Sequence, residues 1–286
     1  MSSVPSPFQV NVYGSSLQVP ENVLDAMRNN QPSANCTLPI LLKSRSFESS
    51  GKTPPNQQVW VVCSSKNSMG DVVVELVIAI TEGYIDSYPA FFFSAIPPHL
   101  LAREFVQPRM EKMIQALFIV LPVRRVYAVY GPDLLAKAFA WCWTSLTGVG
   151  NYSTKPYYAA KLSFCTRQTF KTRLLPLRED LTAEIRPADP NDIMEVAQCC
   201  YGFASDSDPY NLTEQGAIRE AEFLVHQGQI WIHRVTRKGT GQSAIASIVA
   251  FTRISETNGT ITKVYTNPNW RRLGCAERLV RQVCEL

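Results

Sequence analysis

The sequence predicts an α/β protein of two domains, each a sheet of mixed (α+β) character covered by helices. Three observations carry that expectation. Short β-branched and aromatic runs alternate with longer helical patterns through the first half. The stretch "RQTFKTRLLPLREDL" is polar and carries a proline, as linkers do. From Ala183 the order of elements then starts afresh. The expected organisation is a flexible leader over residues 1–30, a first domain over 31–168, a linker over 169–182 and a second domain over 183–286.

In the first half, the leader is rich in Pro, Ser and Asn, with one helical patch near Glu21–Arg28. "SANCTLPILLKSRSFE" has a serine N-cap and apolar spacing for a helix, with Pro39 disturbing its first turns. "VWVVCSS" and "VVVELVIAIT", separated by "KNSMGD", read as a hairpin. "AFFFSAI" is a third strand. "HLLAREFVQPRMEKMIQALFIV" is a long helix containing Pro108, and "RRVYAVYG" is a strand. "DLLAKAFAWCWTSLTG" is a helix with Asp133 as N-cap and Gly148 as stop. Its "AWCWTS" aromatics fall at helical spacing and belong to the core. "PYYAAKLSFCT" is read as the last strand of this half.

In the second half, "AEIRPA" is a strand. "DPNDIMEVAQCCYGF" is a helix capped by Asp189 with Pro190 in its first position. The loop "ASDSDPYN" leads to the helix "LTEQGAIREAEFLVHQG". "QIWIHRV" and "SAIASIVAFTRI" pair around "TRKGTGQ", "GTITKVYT" follows the turn "SETNG", and a terminal helix starts near Arg271.

Bulk composition narrows the function classes. Hydrophobic residues are 45% and charged residues 18% of the 286, which is ordinary for a globular chain. A net charge of +4, from 28 basic and 24 acidic residues, is too mild to indicate nucleic acid. The opening "MSSVPSPFQVNVYG" has neither the basic start nor the apolar core of a secretory signal. Runs such as "DVVVELVIAI" and "MIQALFIVLPV" are too short to span a bilayer, so no membrane association is expected. Eight cysteines without a C-x-x-C pair, most in apolar surroundings, read as buried free thiols of the cytoplasm. The histidines, His99, His226 and His233, are not spaced with Cys or carboxylates as metal ligands, so no metal is expected. His233 alternates with Trp231 on a strand and reads as a satisfied structural histidine.

The chemistry concentrates at "NPNWRRLGCAERLVRQVCEL", Asn267–Leu286: a turn, two arginines, then a glycine opening an amphipathic helix. The first amides of a helix have no internal partner, and its dipole favours negative charge there. Gly274 lets backbone approach an anion closely, while Arg271 and Arg272 add charge-assisted donors. A pyrophosphate or nucleotide phosphate suits such a site. Cys275 is also a candidate nucleophile, since helix N-termini lower thiol pKa values. A nucleic-acid contact through Arg271, Arg272, Arg278 and Arg281 is disfavoured, because Glu277 and Glu285 interrupt the basic face.

Through "VYTNPNWRRLGCAERLV", preceded by strand, helix, helix and three strands, the sequence resembles the GNAT superfamily of acetyl-CoA-dependent N-acyltransferases. The family signature is a strand, a proline and Arg/Gln-x-x-Gly-x-Gly/Ala, here ending Arg271-Arg272-Leu273-Gly274-Cys275-Ala276. "EIRPADPNDI" is similar to the start of such a domain. The resemblance covers roughly Ala183–Leu286, and the first half is similar in outline to a degenerate copy lacking the signature. It implies acetyl-CoA as co-substrate and an amine acceptor. Val264, Tyr265 and Thr266 would meet the pantetheine arm, and Arg271, Arg272, Gly274, Cys275 and Ala276 would hold the pyrophosphate. The reaction implied is direct attack of a free amine on the thioester.

Members of the family place a glutamate base early on the signature strand, where this sequence has Thr260. Glu256 lies in the preceding turn. Asp206, Asp208 and Glu214 are candidates to line an acceptor pocket, although loop solubility and helix capping are the plainer reading of each. A complete domain of the family continues with a strand, a helix and usually two more strands, so the second domain is expected to be truncated at Leu286. Gly259–Thr266 would then be an open hydrogen-bonding edge. Two function classes stand: an N-acetyltransferase, or a catalytically inactive, binding-only relative.

Overall fold

A computed structural model describes residues 8–54, 57–82, 87–151, 156, 158–173, 175–207 and 211–285. The chain divides into two compact units, Met1–Pro156 with Ser255–Asn258, and Tyr157–Ile254 with Gly259–Leu286. Among the described residues the architecture is α/β, with a five-stranded and a four-stranded sheet.

The first unit runs β1 (Phe8–Tyr13), α1 (Glu21–Arg28), α2 (Thr37–Ser49), β2 (Val59–Lys66), β3 (Val72–Ile80), β4 (Ala90–Ser94), α3 (Arg103–Val120), β5 (Val129–Tyr130) and α4 (Asp133–Thr147). Its sheet order is β1-β2-β3-β4-β5. The first four strands are antiparallel neighbours, and β5 joins β4 in parallel through Ala90↔Val129 and Phe91↔Tyr130. Both faces of the central strands are buried, which accounts for their unbroken apolar runs. Val59, Val61, Leu76, Ile78 and Phe92 pack toward α3 and α4, while Trp60, Val62, Val77 and Phe93 pack toward α1 and α2. Each such aliphatic side chain contributes roughly 1.5–3 kcal/mol.

Several elements depart from the sequence expectation. The leader expected over residues 1–30 contains β1, which pairs with β2 from Phe8↔Ser65 to Tyr13↔Trp60. Phe8, Val10 and Val12 join the core at a period of two, a signal outweighed by the surrounding Pro and Ser. The cap of α2 is Cys36, without a side-chain bond, and Pro39 is tolerated because the first turn needs no amide there. Pro132 precedes α4, so Asp133 is its first helical residue rather than its cap, and Gly148 ends it at φ 72° as expected. Pro108 removes one amide from the ladder of α3. The helix continues because Met110, Met113, Ile114 and Leu117 are buried on either side of its next turns. "RRVYAVYG" supplies only Val129–Tyr130 as strand. The strand expected from "PYYAAKLSFCT" is not formed: its described residues from Tyr158 onward are exposed and irregular. The "AWCWTS" helix splits by face, with Cys142 and Trp143 buried and Trp141 exposed.

Among the described residues, two little-exposed charged pairs lie in this unit, Arg125 with Glu82 at 2.9 Å and Arg109 with Glu75. Arg109 donates to both carboxylate oxygens of Glu75, at 2.7 and 2.9 Å, and its guanidinium stacks 3.7 Å from the Phe105 ring centroid.

The second unit runs β6 (Leu181–Pro187), α5 (Ile193–Ser205), α6 (Glu214–His226), β7 (Ile230–Arg237), β8 (Ser243–Ile254), β9 (Gly259–Thr266) and α7 (Cys275–Cys284). This repeats the first seven elements of the first unit, with sheet order β6-β7-β8-β9. β6 takes up Leu181 and Thr182 from the expected linker. Asp189 caps a 3-10 turn, Pro190–Asp192, in a reciprocal box with Asp192, and α5 follows. Arg186 and Arg234 both donate to Asp192, tying that helix start to β6 and β7. The α5–α6 side of the sheet buries Ile230, Ile232, Ile245 and Ile248 with Val196, Cys200 and Leu224. The α7 side buries Leu181, Val235, Ala246, Trp270 and Cys275.

Candidate functional site

The site is built where β9 hands over to α7. Among the described residues β9 pairs only with β8, so its other edge is open. Pairing slips between Ala250 and Arg253, and Thr262 falls out of register. Thr262 Oγ1 donates to the Ala250 carbonyl at 3.3 Å, holding this bulge. Side chains then alternate across the strand. Lys263 and Tyr265 face α5 and α6, where Lys263 Nζ donates to Glu220 at 2.6 Å and Tyr265 packs on Gly202. A side chain on Gly202 would meet the Tyr265 hydroxyl at 2.3 Å, so this glycine makes room for the ring. Val264 and Thr266 face the opposite way. Val264 is exposed, and Thr266 Oγ1 shares a 2.8 Å bond with Ser247 Oγ.

After Thr266, Asn267 caps a 3-10 turn, Pro268–Trp270, through the Asn269 amide, and Trp270 anchors the turn in the core. Two left-handed residues follow, Arg272 at φ 63° and Gly274 at φ 70°. Left-handed backbone in an arginine is uncommon and is held only where surroundings demand it. Turns of this kind gather successive amides into an anion-binding concavity. The helix starts at Cys275 rather than near Arg271, with Gly274 as a cap that has no side chain to satisfy the first amides. Among the described residues, the amides of Arg272, Leu273 and Gly274 donate no hydrogen bond. Those of Cys275, Ala276 and Glu277 occupy the first turn, where a helix offers no acceptor.

Thr266, Arg271, Arg272, Gly274, Cys275, Ala276 and Glu277 line one surface depression. The structure thus brings together the expected phosphate-holding residues, with Thr266 beside them, while Val264 and Tyr265 sit on opposite faces of the strand leading in. Glu277 is an acidic wall the sequence reading did not include, and Arg281 Nε holds its carboxylate at 3.1 Å.

The cations around the depression differ in availability. Arg271 donates to the Thr266 carbonyl at 3.1 Å and to Asp206 at 2.9 Å. Arg272 is exposed and makes no such bond among the described residues. Arg278 is fully engaged: it donates to the carbonyls of Leu273 at 2.6 Å, Pro176 at 2.6 Å and Leu175 at 3.1 Å. Arg281 donates to the Lys171 carbonyl at 2.9 Å. Two arginines of α7 therefore hold the carbonyls of Lys171, Leu175 and Pro176 instead of presenting a free basic face. Nothing in sequence spacing marks carbonyls a hundred residues upstream as their partners.

Cys275 is buried, and burial pushes its thiol above the ordinary value despite the nearby Arg278 cation. Burial and a raised pKa both count against an activated nucleophile at Cys275. Its carbonyl lies 3.2 Å from Nδ1 of His233, a buried residue on β7. Burial, with Arg278 adding to it, lowers the His233 pKa to about 4, so the ring is neutral near pH 7. Nε2 of the same ring is buried and has no partner among the described residues, so the histidine expected to be satisfied is there only half so.

Among the acceptor-pocket candidates, Asp206 ends α5 and is engaged by Arg271. Glu214 is the exposed first residue of α6, and Asp208 lies outside the described residues. Thr260 sits opposite Arg253 near the start of β9, and Glu256 lies in the β8–β9 turn. Among the described residues, no group of three or more His, Cys, Asp or Glu gathers as metal ligands, and no helix is long and apolar enough to cross a membrane.

No protein-family model matches the chain, and no curated protein matches it. Among solved structures, the chain is similar to a tandem GNAT protein from the clavulanic acid biosynthesis pathway, at 10% identity and a TM-score of 0.44, over 97% of this chain and 85% of that one. It is also similar to a possible acetyltransferase from Clostridium difficile 630, at 19% identity and a TM-score of 0.30, over 36% of this chain and 69% of that one.

Proposed function

We propose that the second unit binds acetyl-CoA at the start of α7 and transfers its acetyl group to an amine. The observation that carries this reading is the run of amides from Arg272 to Glu277, without internal acceptors, bordering one depression with Arg271 and Arg272. Such a run suits a pyrophosphate, because each oxygen can take a short bond from fixed donors in a positive helix-end field. The open edge of β9, chiefly through Val264 and Thr266, supplies backbone groups to the amide-rich pantetheine arm, with Tyr265 between them. A free amine then attacks the thioester carbonyl, whose oxygen is steadied by a strand amide; a base or water takes the amine proton, and as the carbonyl re-forms the C–S bond breaks and coenzyme A leaves as a thiolate that takes a proton from water. The first unit, repeating the element order without the glycine-bearing turn, serves as a degenerate companion domain. Its buried thiols and those of the second unit suit the reducing cytoplasm.

A second reading has its own observation. The one carboxylate bordering the depression, among the described residues, is Glu277, and it is held by Arg281. That arrangement favours a binding-only module, which holds acetyl-CoA without a base of its own. Incubation with acetyl-CoA and a panel of primary amines, read by release of free thiol, separates the two. Amine-dependent thiol release supports transfer. Saturable binding with no release above the hydrolysis blank supports the binding-only module, and absence of binding defeats both.

A further inference from the structure

We infer that His233 is a positioning residue for the amide cradle, its Nδ1–H bond to the Cys275 carbonyl setting and polarising the peptide that carries the Ala276 amide. The inference rests on the reading of the α7 start as an anion site. A carbonyl can only accept, so Nδ1 must be the protonated nitrogen, and in a neutral ring Nε2 is then a bare acceptor. That acceptor is buried without a partner among the described residues.

An apolar side chain of similar size at this position would avoid the cost of the orphaned nitrogen. Among the described residues, the imidazole's one hydrogen bond goes to the first residue of α7, whose carbonyl also stands in the helical ladder, one step after that of Gly274, which takes the Arg278 amide. A carbonyl accepting twice draws charge from its peptide and makes the amide on the other side, that of Ala276, a stronger donor. Ala276 borders the depression. Register places the ring in a continuous row across the sheet. His233 stands opposite Ser247, and Ser247 opposite Thr266, with the two hydroxyls bonded at 2.8 Å. The row therefore connects both walls of the site, the first turn of α7 and the last residue of β9.

The test is calorimetric titration of coenzyme A into the full chain and three variants, with a melting curve for each. His233→Leu keeps bulk and removes the donor. His233→Asn keeps an N–H near the Nδ1 position, and His233→Gln places one near Nε2 instead. We expect His233→Leu and His233→Gln to weaken binding by about fivefold, and His233→Asn to stay within about twofold of the unaltered chain. Should His233→Leu fail to fold, the Asn–Gln contrast carries the comparison. Equal affinity in all variants, or equal loss in Asn and Gln, overturns the inference while leaving the cradle intact. An unaltered chain that does not bind coenzyme A overturns the cradle and the inference together.

Discussion

Arg271 reaches across from the site turn to the end of α5, donating to Asp206 at 2.9 Å while its Nε holds the Thr266 carbonyl at 3.1 Å. The carboxylate is the partner a bound phosphate would have to displace. Both side chains are about half exposed, so the pair itself contributes little to stability. Asp206→Asn is expected to leave the melting temperature nearly unchanged and to tighten coenzyme A binding, by no more than about fivefold. Calorimetry checks this. Weaker binding would mean that Asp206 orients Arg271 for the ligand instead of competing with it.

Gly274 holds φ 70° at the mouth of the cradle, where an added Cβ would lie 3.5 Å from Arg278. Space is therefore adequate, and backbone strain decides the cost. Gly274→Ala should lower stability by about 1–2 kcal/mol, measurable by urea titration. Gly274→Asp adds a carboxylate facing the anion and should cost at least about tenfold in coenzyme A affinity.

His233 has its folded pKa depressed to about 4 by burial, below the ordinary value of 6.5. The unfolded chain therefore takes up the proton first as pH falls. The stabilisation from a neutral buried ring is fully present above pH 6.5 and is lost progressively down to about pH 4. The loss should be on the order of 3 kcal/mol, seen as a falling denaturation midpoint, and His233→Leu should flatten the curve in that window. Asp192 acts lower on the scale. Burial works against its ionised form, but Arg186, the Asp189 amide and Arg234 outweigh it and hold its pKa below the usual value. Its contribution disappears only at more acidic pH.

Within the first unit, Glu75 and Arg109 form a two-pronged pair with little exposure on either side chain. Removing one partner strands the other charge. Glu75→Gln is expected to cost about 3 kcal/mol, while Glu75→Leu combined with Arg109→Met should recover much of that loss. A double-mutant cycle by chemical denaturation checks it, and additive losses would contradict a coupled pair.

Legibility in the sequence followed the length and continuity of each signal. The β2–β3 hairpin and β8 were readable because long β-branched runs end in clear turns, and α5 announced itself through Asp189 and Pro190. β1 was missed because its six residues alternate correctly inside a Pro- and Ser-rich context. The aromatic run "PYYAAKLSFCT" misled in the other direction, since strand propensity without a pairing partner does not make a strand. At the site, Gly274 and the arginines were legible as a helix start. The roles of Arg278, His233 and Asp206 were not, because each is set by a partner distant in sequence: Leu175 and Pro176, Cys275, and Arg271.

The most direct measurement of the central claim is the melting temperature of the full chain with and without acetyl-CoA, run beside Gly274→Asp. At a ligand concentration of ~100 times the dissociation constant, the unaltered chain should gain roughly 2.7 kcal/mol, seen as a clear upward shift. Gly274→Asp should show little or none. A cooperative transition that does not move with acetyl-CoA, or an equal shift in both proteins, would contradict a phosphate cradle at the start of α7.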